Sequence, residues 1–229
     1  MNDRITEIKG SLRKRRCHPL LWLWSLGTLC LMGGCASNSL LPETEHRSLE
    51  TEMLRLEVEL LSHNSATLVL QDWCRSHGIS VPSSLVAEPL EKSLKPPPKE
   101  VLAWLRATPE TDIHHRRVAL RCGPVVLSIA DNWFRADALS PAMLNTLATT
   151  REPFGTVVKP LGFQRQLLHL RPLWIPDRNL NVPTYPLPAF LFEISAVLKN
   201  QAGDPFSVVI ERYTRDVLPL GADPSKKSW

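Results

Sequence analysis

The sequence predicts an α+β fold, in which mainly antiparallel hairpins form a sheet and helices flank it. Three observations predict this class. Helical apolar periodicity comes first in the folded part, over residues 49–61 and 65–77. Apolar runs separated by Gly, Pro and Asn turns follow, which is typical of β-hairpins. A short helix lies between the hairpins, so strands and helices do not alternate regularly, as expected of an α+β domain.

Residues 1–34 have the pattern of a bacterial signal peptide. A basic run at residues 13–16 precedes an apolar run at residues 20–32, which is shorter than the roughly 20 residues that span a bilayer. The next residues, Gly33, Gly34 and Cys35, resemble a lipoprotein cleavage box. That resemblance implies cleavage before Cys35, lipidation of its sulfur and, because Ala36 follows, an outer-membrane lipoprotein facing the periplasm. The alternatives are an uncleaved signal anchor, or an unused leader and a cytoplasmic protein.

The charge distribution argues against a nucleic-acid-binding protein. The formal net charge is +4, and residues 1–34 carry all of it, so the remainder of the chain is neutral. The chain also lacks a phosphate-binding glycine loop, a nucleotide motif and a Ser-His-Asp signature. Neither Cys74 with His77 nor the tandem His114 and His115 has the spacing of a zinc site. No zinc site follows from these residues.

The first part of the folded chain is predicted to be helical. Residues 35–48 are polar and suit a tether, and a domain is expected over residues 49–220. Amphipathic helices are predicted at residues 49–61 and 65–77. Residues 81–98 are expected to be irregular and to end in a stiff proline-rich bend.

The central stretch begins with an alternating strand at residues 116–122. Val118, Leu120 and Cys122 should face a core, in line with Arg116, while the alternate residues Arg117, Ala119 and Arg121 should face water. A Gly-Pro turn leads to a second strand at residues 125–134, so the pair predicts a hairpin. Ser140 and Pro141 then suit the start of a short helix, and residues 150–155 form a loop.

The last part of the chain predicts a third strand and a second hairpin. The third strand covers residues 162–170, and the five prolines of residues 171–188 indicate a crossing loop or a lid. Residues 190–199 and 205–214 flank a turn and form the second hairpin. In its last strand Ser207, Val209, Glu211 and Tyr213 share a face. The tail at residues 221–229 is polar and expected to fray.

The order of these motifs resembles the chorismate pyruvate-lyase family. The matching elements are the Arg-rich strand, the Cys-Gly turn, the Asn-Trp-Phe end of the next strand, the Ser-Pro helix and Pro153-Phe154-Gly155. The resemblance covers roughly residues 55–218 and is closer to a divergent branch than to the compact cytosolic enzyme. It implies a chorismate lyase-like fold, a type that also serves as the ligand-sensing domain of GntR-type transcription regulators.

The same resemblance implies a reaction and its residues. Chorismate would lose pyruvate and leave 4-hydroxybenzoate in an internal pocket, without a cofactor. Arg116 matches the arginine that binds the carboxylate, Phe154 and Gly155 match the segment that lines the pocket, and Glu211 matches the glutamate that handles the proton. Arg116 and Glu211 are thus the candidate catalytic residues, and both also belong to the substrate-binding set.

Other interpretations of these residues stay open. Arg116 could lie at the strand entrance and reach solvent, and Glu211 could be a rim residue paired with Arg212 or Arg215. The chain could also be a lipid-anchored module that binds a small carboxylate, such as chorismate or 4-hydroxybenzoate, without turnover. Cys74 and Cys122 could pair in an oxidising compartment, but two buried free thiols are the favoured expectation.

Overall fold

The computed structural model describes residues 41–91, 96–175 and 187–218. Within them, six antiparallel strands form one sheet in the order β1-β2-β3-β6-β5-β4. The strands are β1 (Leu85–Glu91), β2 (Ile113–Cys122), β3 (Val125–Arg135), β4 (Gln164–Pro172), β5 (Phe190–Lys199) and β6 (Pro205–Thr214). The α+β class is confirmed, and both predicted hairpins lie in the same antiparallel sheet, as expected.

Five α-helices accompany the sheet in the described part of the chain. They are α1 (Leu41–Ser62), α2 (Ala66–Ser76), α3 (Lys99–Trp104), α4 (Pro141–Thr149) and α5 (Phe154–Val157). None of the described helices is long and apolar enough to cross a membrane. The segment predicted to be a signal peptide lies outside the described residues, as do Cys35, the tail at residues 221–229 and the middle of the proline-rich segment.

Two helices begin at serine caps, of which Ser140 was predicted from the sequence. The Ser65 side chain accepts a hydrogen bond from the backbone N–H of Leu68 at 3.3 Å and caps α2. Ser140 accepts one from the N–H of Met143 at 3.2 Å, with Pro141 at the first position of α4. Such caps satisfy N–H groups that have no partner inside the helix.

One face of the sheet carries most of the covering helices. On it, α1 and α2 pack over β2 and β3 through Leu56, Leu60, Leu70 and Trp73, all buried. Beside them, α4 and α5 pack over β5 and β6 through Leu147, Phe154 and Val158, also buried. Burial of such large apolar side chains stabilises the fold by about 1.5–3 kcal/mol each. The contact between these two groups of helices is where the candidate site lies.

The opposite face of the sheet is covered by α3. Val101 and Leu105 of this helix pack on Trp133, Val197 and Val208, and all five are buried. Ala119 was expected to face water but is 1% exposed. The alternation of β2 is real, yet the sequence around residues 99–104 did not indicate the helix that buries the second face.

Residues 81–98 differ from the prediction. They contain β1, which pairs with β2 from Leu85 opposite Cys122 to Glu91 opposite Arg117. Pro89 removes a backbone donor, which an edge strand tolerates because only one of its sides is paired. Because of this proline the sequence did not indicate β1, which is an edge strand of the sheet. The first helix also differs, since α1 begins at Leu41, eight residues before the predicted start.

Cys74 and Cys122 form a disulfide, so the expectation of two free thiols was wrong. Their Cα atoms lie 6.2 Å apart, and the bridge joins α2 to the end of β2. Cys122 does face the core, as the alternation predicted. What the sequence did not reveal is that α2 packs on that end of the strand, which brings Cys74 within bonding distance.

Candidate functional site

A small cavity of about 30 Å³ opens between the sheet and the helices on the face that carries α1, α2, α4 and α5. Its walls combine apolar and polar side chains. The apolar members are Ala66, Val118, Leu120, Ala130, Phe154, Phe163, Leu198 and Val209, and the others are Asn64, Ser65, Thr67, Asn132, Gly155, Arg165 and Glu211. Pockets that bind small molecules have this character, an apolar wall with a few convergent polar groups.

Strand register places the floor of the cavity. Val118 of β2 lies opposite Ala130 of β3, and Ala130 lies opposite Glu211 of β6. Residues paired in this way point to the same side of a sheet. The three side chains therefore form one row across the floor, with the small Ala130 at its centre and the carboxylate at one end.

Glu211 forms an ion pair with Arg165 inside the domain. The Arg165 Nη2 group donates to Glu211 Oε2 at 2.8 Å, and the two side chains are 4% and 7% exposed. Arg165 Nη1 also donates to the backbone carbonyl of Leu60 at 3.0 Å. Glu211 is thus not a rim residue paired with Arg212 or Arg215, and the cation at the cavity is Arg165.

Tyr213 is the second hydrogen-bond donor to the Glu211 carboxylate. Its hydroxyl donates to Glu211 Oε2 at 3.0 Å, and its ring stacks on Phe192 with centroids 4.7 Å apart. Burial, together with the negative charge of Glu211, raises the pKa of the Tyr213 hydroxyl well above its ordinary value. Both hydrogen bonds to Glu211 reach Oε2, so among the described residues Oε1 accepts none.

Asn132 is a buried polar side chain on the same floor. It is 4% exposed, lines the cavity and lies opposite Val209. No hydrogen bond joins its side-chain amide to another described residue. The amide lines the cavity, so it can donate and accept hydrogen bonds with a group that enters there.

Phe154 and Gly155 form the wall opposite the start of α2. The Phe154 ring contacts Phe134, with centroids 5.3 Å apart. A Cβ atom on Gly155 would lie 2.7 Å from Thr67 Oγ1 and 3.1 Å from Ser65 Oγ. Only glycine therefore allows α5 to approach the first turn of α2 this closely.

Arg116 lies beside the cavity but does not line it. It lies opposite Asn132 in the strand register, so both side chains are on the face of the sheet that carries α1 and α2. Its guanidinium donates to the carbonyls of Glu152 at 3.0 Å and Thr150 at 3.3 Å. Arg116 therefore holds the loop that leads into Phe154, and it neither reaches solvent freely nor contacts Glu211. Burial lowers the pKa of its guanidinium.

Of the predicted site residues, the structure brings together Glu211, Phe154 and Gly155 at the cavity, with Arg116 adjacent. Sequence reasoning missed Arg165, Asn132 and Thr67. A signal for Arg165 existed, because it stands between Phe163 and Leu167 in the strand alternation, as Arg116 stands in line with Val118. Among the described residues, no group of three His, Cys, Asp or Glu side chains could hold a metal ion.

The geometry defines an α+β domain with a cavity of mixed polar and apolar lining. The family of the chain follows from a relative of known sequence. No family model matches the chain. The uncharacterized protein y4mC of Sinorhizobium fredii is 40% identical over 178 residues, which cover 73% of this chain and 75% of that protein. The chain therefore belongs to the same family as y4mC.

Three solved structures are similar to this chain at low identity. They are YydK of Bacillus subtilis (15% identity, 58% of this chain, 60% of that chain, TM-score 0.40), PhnF of Mycobacterium smegmatis (12%, 68%, 66%, 0.45) and the ligand-binding domain of a GntR-family regulator of Bordetella bronchiseptica (15%, 57%, 82%, 0.40). The chain spans less than two thirds of the length of YydK and PhnF. Similarities of this size carry no argument about the ligand.

Proposed function

We propose that this domain binds a small aromatic carboxylate in its cavity, with 4-hydroxybenzoate as the model ligand. The observation that carries the proposal is the buried Asn132 amide, which faces the cavity without a partner among the described residues. A ligand would supply the missing hydrogen bonds. The apolar walls, with Phe154 and Phe163 among them, suit the body of an aromatic ring.

The charges around the cavity favour an anion. Arg165 and Arg116 are two cations, and Glu211 is one anion that neutralises Arg165. No described carboxylate pairs with Arg116, whose guanidinium is bound by backbone carbonyls. Arg116 lies beside the cavity and is partly exposed, so its charge would attract an anionic ligand to this region without contacting it directly.

Isothermal titration of the purified full chain with 4-hydroxybenzoate tests this proposal. We expect saturable binding, and we expect Asn132→Leu to weaken it by about 10-fold, because the hydrogen bonds that its amide offers to the ligand are lost. Asn145→Leu is the matched control, since Asn145 is exposed on α4 and does not line the cavity. No binding by the wild-type chain, or equal loss in both variants, would refute the proposal.

Chorismate lysis is a second candidate function, favoured by one observation. Glu211 lines the cavity, and its Oε1 accepts no hydrogen bond from the described residues, so this oxygen is placed to take up or release a proton. Incubation of the full chain with chorismate, followed by assay of 4-hydroxybenzoate and pyruvate, tests it. Glu211→Gln should then lower turnover by about 10²–10⁴-fold while ligand binding persists. Binding without any turnover leaves the non-catalytic function alone.

We further propose that the chain is exported and anchored to a membrane through lipidated Cys35. The leader pattern supports export, and the bond between Cys74 and Cys122 suits an oxidising compartment. Export would also separate the protein from chorismate, which is made in the cytoplasm, and so favours binding over lysis. Mass spectrometry of the membrane fraction should find an acylated N-terminal Cys35. An intact Met1 in the soluble fraction would overturn this part of the proposal.

A further inference from the structure

The outer side of α1 carries an apolar stripe that is exposed in the described part of the chain. Its members are Leu54, Val58 and Leu61, which are 48%, 61% and 42% exposed. They follow one another at spacings of four and three residues, so they lie on one side of the helix. The core of the domain lies on the opposite side, where the buried residues are Met53, Leu56 and Leu60. The stripe is therefore a second apolar face of α1, which packing within the domain does not explain.

The spacing of this stripe is that of a coiled-coil seam. In a heptad repeat, with positions labelled a to g, the apolar residues at a and d contact the partner helix. Leu54 and Leu61 take d positions, and Val58 takes the a position between them. Valine at a with leucine at d favours two strands over three or four. The stripe therefore fits one further helix of the same kind.

The charged residues beside the stripe decide the direction of that partner helix. Glu50 and Glu57 take g positions, and Arg55 takes an e position. In a parallel pair, a g residue meets the e residue five positions later on the other helix, so Glu50 of each copy meets Arg55 of the other. In an antiparallel pair, g residues meet g residues and e residues meet e residues, so like charges would face each other. Only the parallel pair is complementary in charge.

We propose that α1 pairs along this stripe with α1 of a second copy of the chain, as a parallel two-stranded coiled coil. Glu50 also takes part in an interaction within its own chain, but a carboxylate has two oxygens and can accept from Arg55 as well. The parallel order brings the two Leu41 ends of α1 side by side. Two chains anchored to one membrane need that order, although the pairing depends neither on an anchor nor on the ligand.

The pair should be weak in solution. The seam extends only over residues 50–62, so its contact area is far below the roughly 1,600 Å² of a standard protein interface. We therefore expect a dissociation constant on the order of 50 µM, which is typical of a small transient contact. Anchoring of both chains to one membrane would raise their effective concentration and favour the pair.

Sedimentation equilibrium of the purified full chain measures this pairing. We expect the wild type to dimerise reversibly between about 5 and 500 µM. Val58→Asp should stay monomeric over this range, because it places a charge in the apolar seam. Val81→Asp is the matched control, since Val81 is 94% exposed and lies outside α1. A wild type that stays monomeric would overturn the inference and leave the stripe to another occupant, such as a lipid surface. Equal loss in both variants would overturn it as well.

A charge exchange tests the parallel order. Arg55→Glu sets two acidic residues against each other at each g–e contact, and Glu50→Arg sets two basic residues there. Each variant alone should dimerise about 10-fold more weakly than the wild type, since two contacts change from attraction to repulsion. An equimolar mixture should dimerise as well as the wild type, because every g–e contact then joins opposite charges. A mixture as weak as the single variants would overturn the parallel pairing.

Covalent trapping covers the case in which a charge variant does not fold. Oxidation of Leu61→Cys at the upper end of the concentration range should give a disulfide-linked dimer, since identical d positions lie side by side in a parallel pair. His63→Cys is the control, because residue 63 is exposed and takes an f position away from the seam. Cross-linking of Leu61→Cys that does not exceed that of His63→Cys would overturn the inference.

Discussion

Arg165 and Glu211 meet at 2.8 Å although their strands are not neighbours in the sheet. Arg165 is on β4 and Glu211 on β6, and β5 runs between them. Arg165 reaches across this strand on the face that carries α1 and α2, where its Nη1 group also donates to the carbonyl of Leu60. The pair therefore ties the edge of the sheet, its centre and the end of α1 to one point at the cavity.

Removal of one member of this pair should destabilise the domain strongly. Arg165→Met leaves Glu211 buried without its cation, and Glu211→Leu does the reverse, so each should lower the free energy of unfolding by about 3–5 kcal/mol. The double variant should lose much less than the sum, because no charge is then left unpaired. Urea unfolding of the four proteins measures the coupling. Additive losses would show that the pair has no net interaction.

The loop before Phe154 should depend on Arg116. Arg116→Gln removes a cation that donates to two backbone carbonyls, and we expect a loss of about 1–3 kcal/mol in the free energy of unfolding, with faster hydrogen exchange at residues 150–155. Arg171→Gln is the control, since its pair with Glu193 is largely exposed and should contribute less than about 1 kcal/mol. Equal effects would contradict a specific role of Arg116.

Some residues of the candidate site could be predicted from the sequence, and their contacts explain why the others could not. Glu211 and Phe154 both line the cavity, and the family resemblance had singled them out. For Glu211, strand alternation adds the face that it shares with Val209. The partner of Glu211 was missed, because β4 and β6 are separated by β5 and no local pattern reports a contact across a strand. Arg116 was identified as unusual for the right reason, a cation on an apolar face, yet its acceptors are carbonyls of a distant loop.

The same distinction applies to the fold. The hairpins and the caps of α2 and α4 depend on neighbouring residues, so they were predictable. The strand β1 and the disulfide depend on what packs beside them. Pro89 made β1 look irregular in the sequence, and Cys74 and Cys122 are separated by 48 positions. Contacts made over long sequence separations need the assembled sheet.

Cys74 and Cys122 should stabilise the domain through their bond. The variant Cys74→Ala with Cys122→Ala should lose about 2–4 kcal/mol of unfolding free energy, because the bridge restricts a long loop of the unfolded chain. Thiol titration of the denatured protein without reductant should give the same count for this variant and for the wild type. Cys74→Ala alone should show one thiol more. A higher count in the wild type would mean that the cysteines are free.

Tyr213 should stay un-ionised in the folded protein at alkaline pH. Burial raises the pKa of its hydroxyl in the folded state, so its stabilising contribution is complete below the unfolded pKa of about 10 and is lost as the pH rises above it. The chain has two tyrosines, so Tyr185→Phe leaves Tyr213 as the single reporter. Absorbance near 295 nm should then rise only together with loss of the circular dichroism signal. A rise near pH 10 in a folded protein would contradict this.

Gly155→Ala should damage the cavity wall through one collision. The new Cβ would lie 2.7 Å from Thr67 Oγ1, so α5 and the first turn of α2 must separate. We expect a loss of about 1–3 kcal/mol in unfolding free energy, as overpacking usually costs, together with weaker binding of 4-hydroxybenzoate.

A second substitution at Thr67 identifies the cause of that loss. Thr67→Ala removes the colliding oxygen, so the double variant Gly155→Ala with Thr67→Ala should be more stable than the sum of the single losses predicts. Thr67→Ser keeps the oxygen and is the matched control, since it should give no such rescue. Unfolding free energies from urea titration separate these cases. If Thr67→Ser rescues Gly155→Ala as well as Thr67→Ala does, the hydroxyl of Thr67 is not the obstacle, and the close contact between α5 and α2 does not explain why residue 155 is glycine.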